Sequence, residues 1–326
     1  MSILSFGAGL VRLAAMLLAL TAMSLSLLAL GGVVSRWLDV LTHFAPFYLV
    51  AGLVAVAARL LTGTAGARPT VTMGLAAIGF AAVLMAPEIF FSLMRAPPPA
   101  AGQTLKLVQF NLWAENFDPV GTADWIRAQH ADIVVLEEAS GQASPIPAML
   151  KSDFPYQTSC APPRPCSTVI LTREKPAAFA GLLGDLSPAR LAGAWVTLGD
   201  GPKAFTVVGA HYTWPIPAGP QQAQSIRLSK VLEGFDKKSL IVAGDFNSTP
   251  WSFALWRQDA RFGLQRRTRA LLSWPAARFT RWELRWPIPF LAIDHVYAGS
   301  DWKTVSVARG PRLGSDHFPV VAVLRR

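Results

Sequence analysis

The apolar positions along the chain follow two different patterns. Residues 13–34, 40–58 and 69–87 are continuous runs without a charged side chain, and Ile89-Phe90-Phe91 follows the third. About 20 apolar residues of helix cross the hydrocarbon core of a bilayer, so each run predicts one membrane span. The gaps at 35–39 and 59–68 are long enough only for turns. A cleaved signal peptide has a shorter apolar core than the first run, and no clear small-x-small cleavage site precedes the second. A buried hairpin of a soluble protein would not be apolar on every face.

From residue 105 the pattern changes to short apolar bursts cut by polar residues, which predicts strands at 105–111, 132–138, 167–172, 194–198, 204–211, 239–245, 293–298, 304–308 and 319–324. Helical spacing falls between them at 120–130, 221–234 and 252–258. Many strands with interspersed helices predict a mixed α/β domain. The chain therefore divides into an anchor at 1–95, a proline-rich linker at 96–103 and a folded domain at 104–326, with no solenoid-like internal repeat.

Composition confirms the division. The 326 residues are 52% hydrophobic and 15% charged, with a mean hydropathy of +0.35, which excludes a disordered chain. Only seven charged residues lie in the first hundred: Arg12, Arg36, Asp39, Arg59, Arg68, Glu88 and Arg95. With the N-terminus inside, Arg12, Arg59 and Arg68 are cytoplasmic and Arg36 and Arg95 are outside, which favours that orientation slightly and places the C-terminal domain on the periplasmic or extracellular side. Cys160 and Cys166 bracket Ala-Pro-Pro-Arg-Pro; a disulfide there would suit an oxidising compartment, and two unpaired cysteines fit the spacing as well.

Polar residues with catalytic potential recur where an apolar strand stops. They are Asn111 after Val-Gln-Phe, Glu137-Glu138 after Val-Val-Leu, His211 after Val-Gly-Ala, and Asp245-Phe-Asn247 after Ile-Val-Ala-Gly. Asp294 follows Ala-Ile, and Ser-Asp316-His317 precedes the last strand. Each alone fits a turn, a helix cap or a satisfied core residue; their recurrence, each behind a strand, predicts a cleft built from strand ends. Oxygen donors, few cysteines and no paired HxxxH spacing suit a hard cation, Mg²⁺ or Mn²⁺, rather than structural zinc.

The ordered set Gln-Phe-Asn111, Leu-Glu-Glu138, His211, Gly-Asp245-Phe-Asn247, Ile-Asp294-His and Gly-Ser-Asp316-His317-Phe-Pro resembles the endonuclease/exonuclease/phosphatase superfamily, the DNase I-like fold, across residues 105–326. Thr249-Pro-Trp-Ser252 resembles the bacterial branch that often carries N-terminal membrane spans. The resemblance implies a four-layer α/β sandwich after three transmembrane helices, and metal-dependent hydrolysis of a phosphate ester or phosphodiester. It implies Glu138 as principal metal ligand, with Asn111 beside it and Asp316 as a further ligand. Asp245 would position or deprotonate water, while Asn247 and His211 donate to phosphate oxygens. His317 would act as acid, base or electrostatic stabiliser, held by Asp294. The chain departs from some members in carrying Trp113 where they have an aspartate, which removes one carboxylate from the first motif. A catalytically silent binding module on the same fold is the alternative reading.

Net charge bears on substrate. The total is +10, and a window from Arg257 to Arg285 holds Arg257, Arg261, Arg266, Arg267, Arg269, Arg278, Arg281 and Arg285 against only Asp259 and Glu283. Tryptophans and phenylalanines interleave with the arginines. A solvated insertion whose rings pack on the domain, a nucleic-acid surface and docking on anionic lipid all fit this pattern. The expected partners are the bilayer and a phosphate-containing substrate, nucleic acid or phospholipid headgroup, with no obligate protein partner evident.

Overall fold

The computed structural model describes residues 3–94, 101–160, 166–182, 190–276, 278–279, 284–285 and 288–326. Most of the expected linker, and the side chains of Arg278, Arg281, Glu283 and Arg285 in the basic window, lie outside the described residues. The chain forms two compact units, one of residues 1–93 with 249–256, the other of residues 94–248 with 257–326.

The first unit contains helix α1 (Ile3–Leu30), a single turn α2 (Arg36–Asp39), α3 (Ala45–Leu61) and α4 (Arg68–Leu93). Among the described residues three stretches, Phe6–Val33, Arg36–Leu61 and Arg68–Leu93, are long and apolar enough to cross a membrane. Small residues face inward: Ala19, Ala29, Ala55, Ala77 and Ala81 are fully buried, while Leu13, Leu17, Leu53 and Leu75 are exposed. A Cβ on Gly52 would stand 2.7 Å from the Gly74 carbonyl oxygen, so two glycines set the approach of α3 to α4. Close backbone packing is how helices associate where leucine gains nothing by leaving lipid. Two boundaries differ from the sequence reading. Helix α1 starts well before Arg12, whose Nε donates to the Thr62 carbonyl at 3.0 Å. Helix α4 runs through Pro87 to Leu93, because proline removes one donor without ending a helix that neighbours hold, and Glu88 is buried.

In the second unit the elements are β1 (Thr104–Asn111), α5 (Pro119–Ala128), β2 (Ile133–Glu137), α6 (Ile146–Met149), β3 (Tyr156–Ser159), β4 (Val169–Thr172), β5 (Ala178–Gly181), β6 (Ala192–Leu198), β7 (Phe205–His211), α7 (Pro220–Leu232) and β8 (Ile241–Asp245). There follow α8 (Phe253–Phe262), which begins in the first unit, then β9 (Gln265–Arg266), β10 (Arg278–Phe279), β11 (Leu284–Arg285), β12 (Asp294–Ala298), β13 (Lys303–Arg309) and β14 (Val320–Arg325). Two six-stranded sheets form, ordered β13-β14-β1-β2-β4-β3 and β5-β6-β7-β8-β12-β9, beside the small pair β10-β11. Each large sheet holds one parallel pair near its centre, β1 with β2 and β7 with β8.

One apolar seam joins the sheets. Leu105, Leu107, Ile133, Val135, Val320 and Ala322 of the first sheet share a buried cluster with Val196, Val207, Ile241, Ala243, Val296 and Ala298 of the second. The other face of the first sheet, through Val108, Phe110, Val134 and Leu136, packs with Ala123 and Ile126 of α5 and Ile146 of α6. This is a DNase I-like α/β sandwich. The strands β3, β5 and β9 lacked a sequence signal because they are short and partly exposed, so no alternation builds up.

Candidate active site

Period-two alternation carries the seam directly into the site. Along β1 the positions facing the seam run Leu105, Leu107, then Gln109 and Asn111; along β2 they run Ile133, Val135, then Glu137. In β8 the row is Ile241, Ala243, Asp245, and in β12 it is Ala298, Val296, Asp294. Each strand thus ends its apolar row with a polar side chain, and the ladders set them side by side. Asn111 pairs with Glu137 and Asp245 with Asp294. Gly244 allows this register, since a Cβ there would lie 1.8 Å from the Ala210 carbonyl oxygen.

Alternation should send Glu138 to the opposite face from Glu137. The strand stops at Glu137, and Glu138 takes φ +52°, which turns its carboxylate back toward Asn111. Trp113 and Asn247 have φ of +58° and +48°, so two more strand ends are re-aimed through left-handed backbone. Such conformations cost energy in non-glycine residues and persist only where the surroundings fix them.

The side chains meet as a network. Asn111 Nδ2 donates to Glu138 Oε1 at 3.1 Å and to Asp245 Oδ2 at 3.0 Å. His211 Nε2 lies 3.8 Å from Glu138 Oε1 and 3.7 Å from Asp245 Oδ2. His317 Nε2 is also 3.7 Å from Asp245 Oδ2, while its Nδ1 is bonded to Asp294 Oδ2 at 2.8 Å. Asp245 is therefore the point on which both imidazoles and the Asn111 amide converge. Oxygen or nitrogen atoms of Asp245, Asp294 and His317 lie within 4.8 Å of one another.

Electrostatics divide the labour. Burial alone would hold the His317 imidazolium down, but Asp294, Asp316 and Asp245 outweigh it and raise its pKa well above the ordinary histidine value. Burial would raise Asp294, but His317 more than offsets this and keeps it ionised below the usual carboxylate value. Burial, reinforced by Asp294, pushes Asp245 up to about 8. Burial lowers His211 below the ordinary value. Burial, aided by Asp294, raises Glu137 well above the ordinary carboxylate value.

The structure brings together every residue anticipated from sequence and alters the work of three. Asn111 Oδ1 accepts from Trp113 N, so its side-chain N–H groups, not its oxygen, face the carboxylates. Asn247 Nδ2 donates to the Tyr212 carbonyl at 2.9 Å and to Asp245 Oδ2 at 3.3 Å, so it fixes Asp245 rather than standing free for phosphate. Asp316 keeps one oxygen on Trp274 Nε1 at 3.1 Å, while Oδ1 is buried without a hydrogen-bond partner. That oxygen lies 4.0 Å from His317 Nε2, and Asp316 feels the charges of Glu138 and Asp294; these carboxylates are a donor set that fits a hard divalent cation.

Three supporting residues were not singled out from sequence. Gln109 Nε2 bridges Glu137 Oε2 at 2.9 Å and Asp294 Oδ1 at 2.8 Å, linking both sheets behind His317. Its place two residues before Asn111 on one strand was the available signal. His295 pins the Ser248 carbonyl at 2.8 Å, and Gln221 donates to the Phe246 and Asn247 carbonyls; His295 stands in the Ile-Asp294-His motif, while Gln221 carries no local motif. Part of the basic window packs into the domain. Arg266 is buried on Asp259, and buried Arg267 donates to the Ala298, Gly299 and Trp302 carbonyls, so neither offers its charge to a phosphate backbone. Trp251 and Phe262 are likewise buried.

A profile of the endonuclease/exonuclease/phosphatase family matches residues 108–317. The fold is similar to an endonuclease/exonuclease/phosphatase from Beutenbergia cavernae, at 22% identity and TM-score 0.52 over 68% of this chain and 72% of that one. It is also similar to sphingomyelinase C from Streptomyces griseocarneus, at 18% identity and TM-score 0.52 over 68% and 99%. A mutant beta toxin from Staphylococcus aureus with bound magnesium ions aligns at 13% identity and TM-score 0.52 over 68% and 99%. No curated protein matches by sequence. With the matched segment spanning most of the chain and every strand-end residue of its site in place, this chain belongs to the endonuclease/exonuclease/phosphatase family.

Proposed function

We propose that the protein is a membrane-anchored, divalent-metal-dependent phosphodiesterase acting on nucleic-acid or phospholipid phosphodiesters. The observation that carries this reading is the convergence of Asp245, Asp294 and His317 with Asp316, whose Oδ1 accepts no hydrogen bond and lies 4.0 Å from His317 Nε2. Glu138 and Asp316 would hold Mg²⁺ or Mn²⁺, with Asp245 facing the same space; a cation held there neutralises charge on the phosphoryl oxygens and the leaving group. Since His317 is already protonated through Asp294, it donates to a phosphate oxygen from Nε2, and taking the proton of the attacking water falls to Asp245 in its ionised form, which rising pH and a divalent cation held beside it would favour. Asn111 and Asn247 hold the accepting carboxylate in place. Neutral His211, at the end of β7 beside β8, faces Glu138 and Asp245 and donates to the same phosphate.

Placement at a membrane rests on the three apolar helices. Arg12 reaches the Thr62 carbonyl and Arg59 reaches the Gly63 and Ala65 carbonyls, so these arginines gather at the end of the helices that also bears Arg68. By the positive-inside rule that end is cytoplasmic, and α4 exits at the periplasmic or extracellular side. The Cys160–Cys166 disulfide, with Cα atoms 5.3 Å apart, supports the same side.

The test is hydrolysis of bis-p-nitrophenyl phosphate by the full-length protein in detergent with Mg²⁺ or Mn²⁺. Turnover should be lost on chelation and in Glu138→Ala and His317→Ala. Absence of metal-dependent turnover on a panel of DNA, RNA, sphingomyelin, phosphoinositides and nucleotides would leave the silent binding module as the reading.

A further inference from the structure

The turn between the first two apolar helices holds a segment from the other end of the sequence. Asp39, 4% exposed, accepts from Phe253 N at 2.9 Å through Oδ1 and from Ala254 N at 2.7 Å through Oδ2. These are free donors of the first turn of α8, and Ser252 Oγ takes the third, Leu255 N, at 3.2 Å. Four residues on, His43 Nδ1 meets Thr249 Oγ1 at 2.9 Å and accepts from Thr249 N at 3.3 Å, which puts the ring proton on Nε2. Thr42 Oγ1 donates to the Asp39 carbonyl and supports its side chain. Gly32 makes room, since a Cβ there would stand 2.9 Å from Phe253 Cδ2 and 2.7 Å from Asp39 Cα. Thr249, Trp251 and Ser252 are buried within this unit.

A buried carboxylate and imidazole are expensive unless paired, and here both are satisfied by backbone and hydroxyl groups of 249–254. The helix N-terminus is the favourable place for the anion. The held segment starts two residues after Asn247, the residue whose amide fixes Asp245. A peptide pinned at Thr249 has little freedom left at Asn247, which already sits in a left-handed conformation that its surroundings must enforce.

We infer that Asp39 and His43 of the anchor are positioning residues for the Asp245–Asn247 loop, so that the anchor helps to assemble the catalytic site as well as tethering it. The kinetic part rests on the phosphodiesterase reading; the structural part does not.

The test uses the full-length protein in nanodiscs, with Asp39→Ala, Asp39→Asn, Gly32→Val, and Arg36→Ala as an exposed control in the same turn. Amide hydrogen exchange is followed by mass spectrometry in peptides covering 245–248 and 249–256. Asp39→Ala and Gly32→Val should accelerate exchange at least about tenfold in both peptides. Asp39→Asn, which keeps one acceptor, should give an intermediate value, and Arg36→Ala none. With bis-p-nitrophenyl phosphate, kcat should fall several-fold in the same order while KM stays within about twofold. Unchanged exchange in 249–256 would overturn the clamp. Faster exchange confined to 249–256, with 245–248 and kcat unchanged, would overturn the positioning role. If the wild type hydrolyses no phosphoester, the phosphodiesterase reading fails, and exchange at 245–248 still decides this one.

Discussion

Replacing Asp294 by asparagine tests the electrostatic core of the site with almost no change in volume. Asp294 Oδ2 and His317 Nδ1 are 2.8 Å apart, at 0% and 5% exposure. At an effective dielectric of about 20 the attraction of two unit charges at that distance is roughly 6 kcal/mol. Desolvation offsets part of it, and removing one partner of a buried pair costs about 3–5 kcal/mol in measured cases. With Asp294 neutral, His317 loses the largest of the charges that oppose its burial, so its pKa falls and the imidazolium is held less firmly. Since a positioned acid or base contributes about 10²–10⁴ in rate, kcat should drop at least about 100-fold with a smaller effect on KM. Stability should follow a defined window. The raised pKa of His317 gives stability that is complete below the ordinary histidine value and lost as pH rises through the raised one. The lowered pKa of Asp294 gives stability present above its ordinary value and lost as pH falls through the lowered one. The melting-temperature gap between wild type and Asp294→Asn should therefore be widest in mildly acidic solution and close toward alkaline pH. The assay is metal-dependent hydrolysis of bis-p-nitrophenyl phosphate as a function of pH, with parallel thermal melts. An Asp294→Asn protein with near wild-type kcat and an unmoved alkaline limb would refute the reasoning.

Two further outcomes follow from the same geometry. Asp245, raised to about 8, binds its proton more tightly folded than unfolded, so this contribution is present at acid pH and lost as pH rises toward 8; the metal-free protein should melt lower at about pH 9 than at about pH 6, and Mg²⁺ should raise the melting temperature more at the higher pH, as scanning calorimetry would show. Arg267→Ala should destabilise the fold by about 3 kcal/mol, since it strands three buried carbonyls, without flattening the salt dependence of any nucleic-acid cleavage; denaturant melts and cleavage rates against salt check both halves.

The sequence by itself determined the three apolar helices, because membrane thickness imposes a length that composition alone reveals. It determined most of the strands, because one-sided burial writes itself as alternation. It also located the site, since polar residues ending apolar rows are conspicuous at Asn111, Glu138, His211, Asp245 and Asp294. Tertiary structure decided what these residues do. Pairing of β8 with β12 put Asp294 beside Asp245, and backbone turned at Glu138 brought two consecutive glutamates to one site, against the period of the strand. That Gln109 spans the seam depends on partners 28 and 185 residues away, and that Arg267 is buried depends on carbonyls 31 to 35 residues on. The Asp39 contact with α8 bridges more than 200 residues. Local pattern encodes only which face of an element is buried; the partner across that face is chosen by the packing of the whole chain.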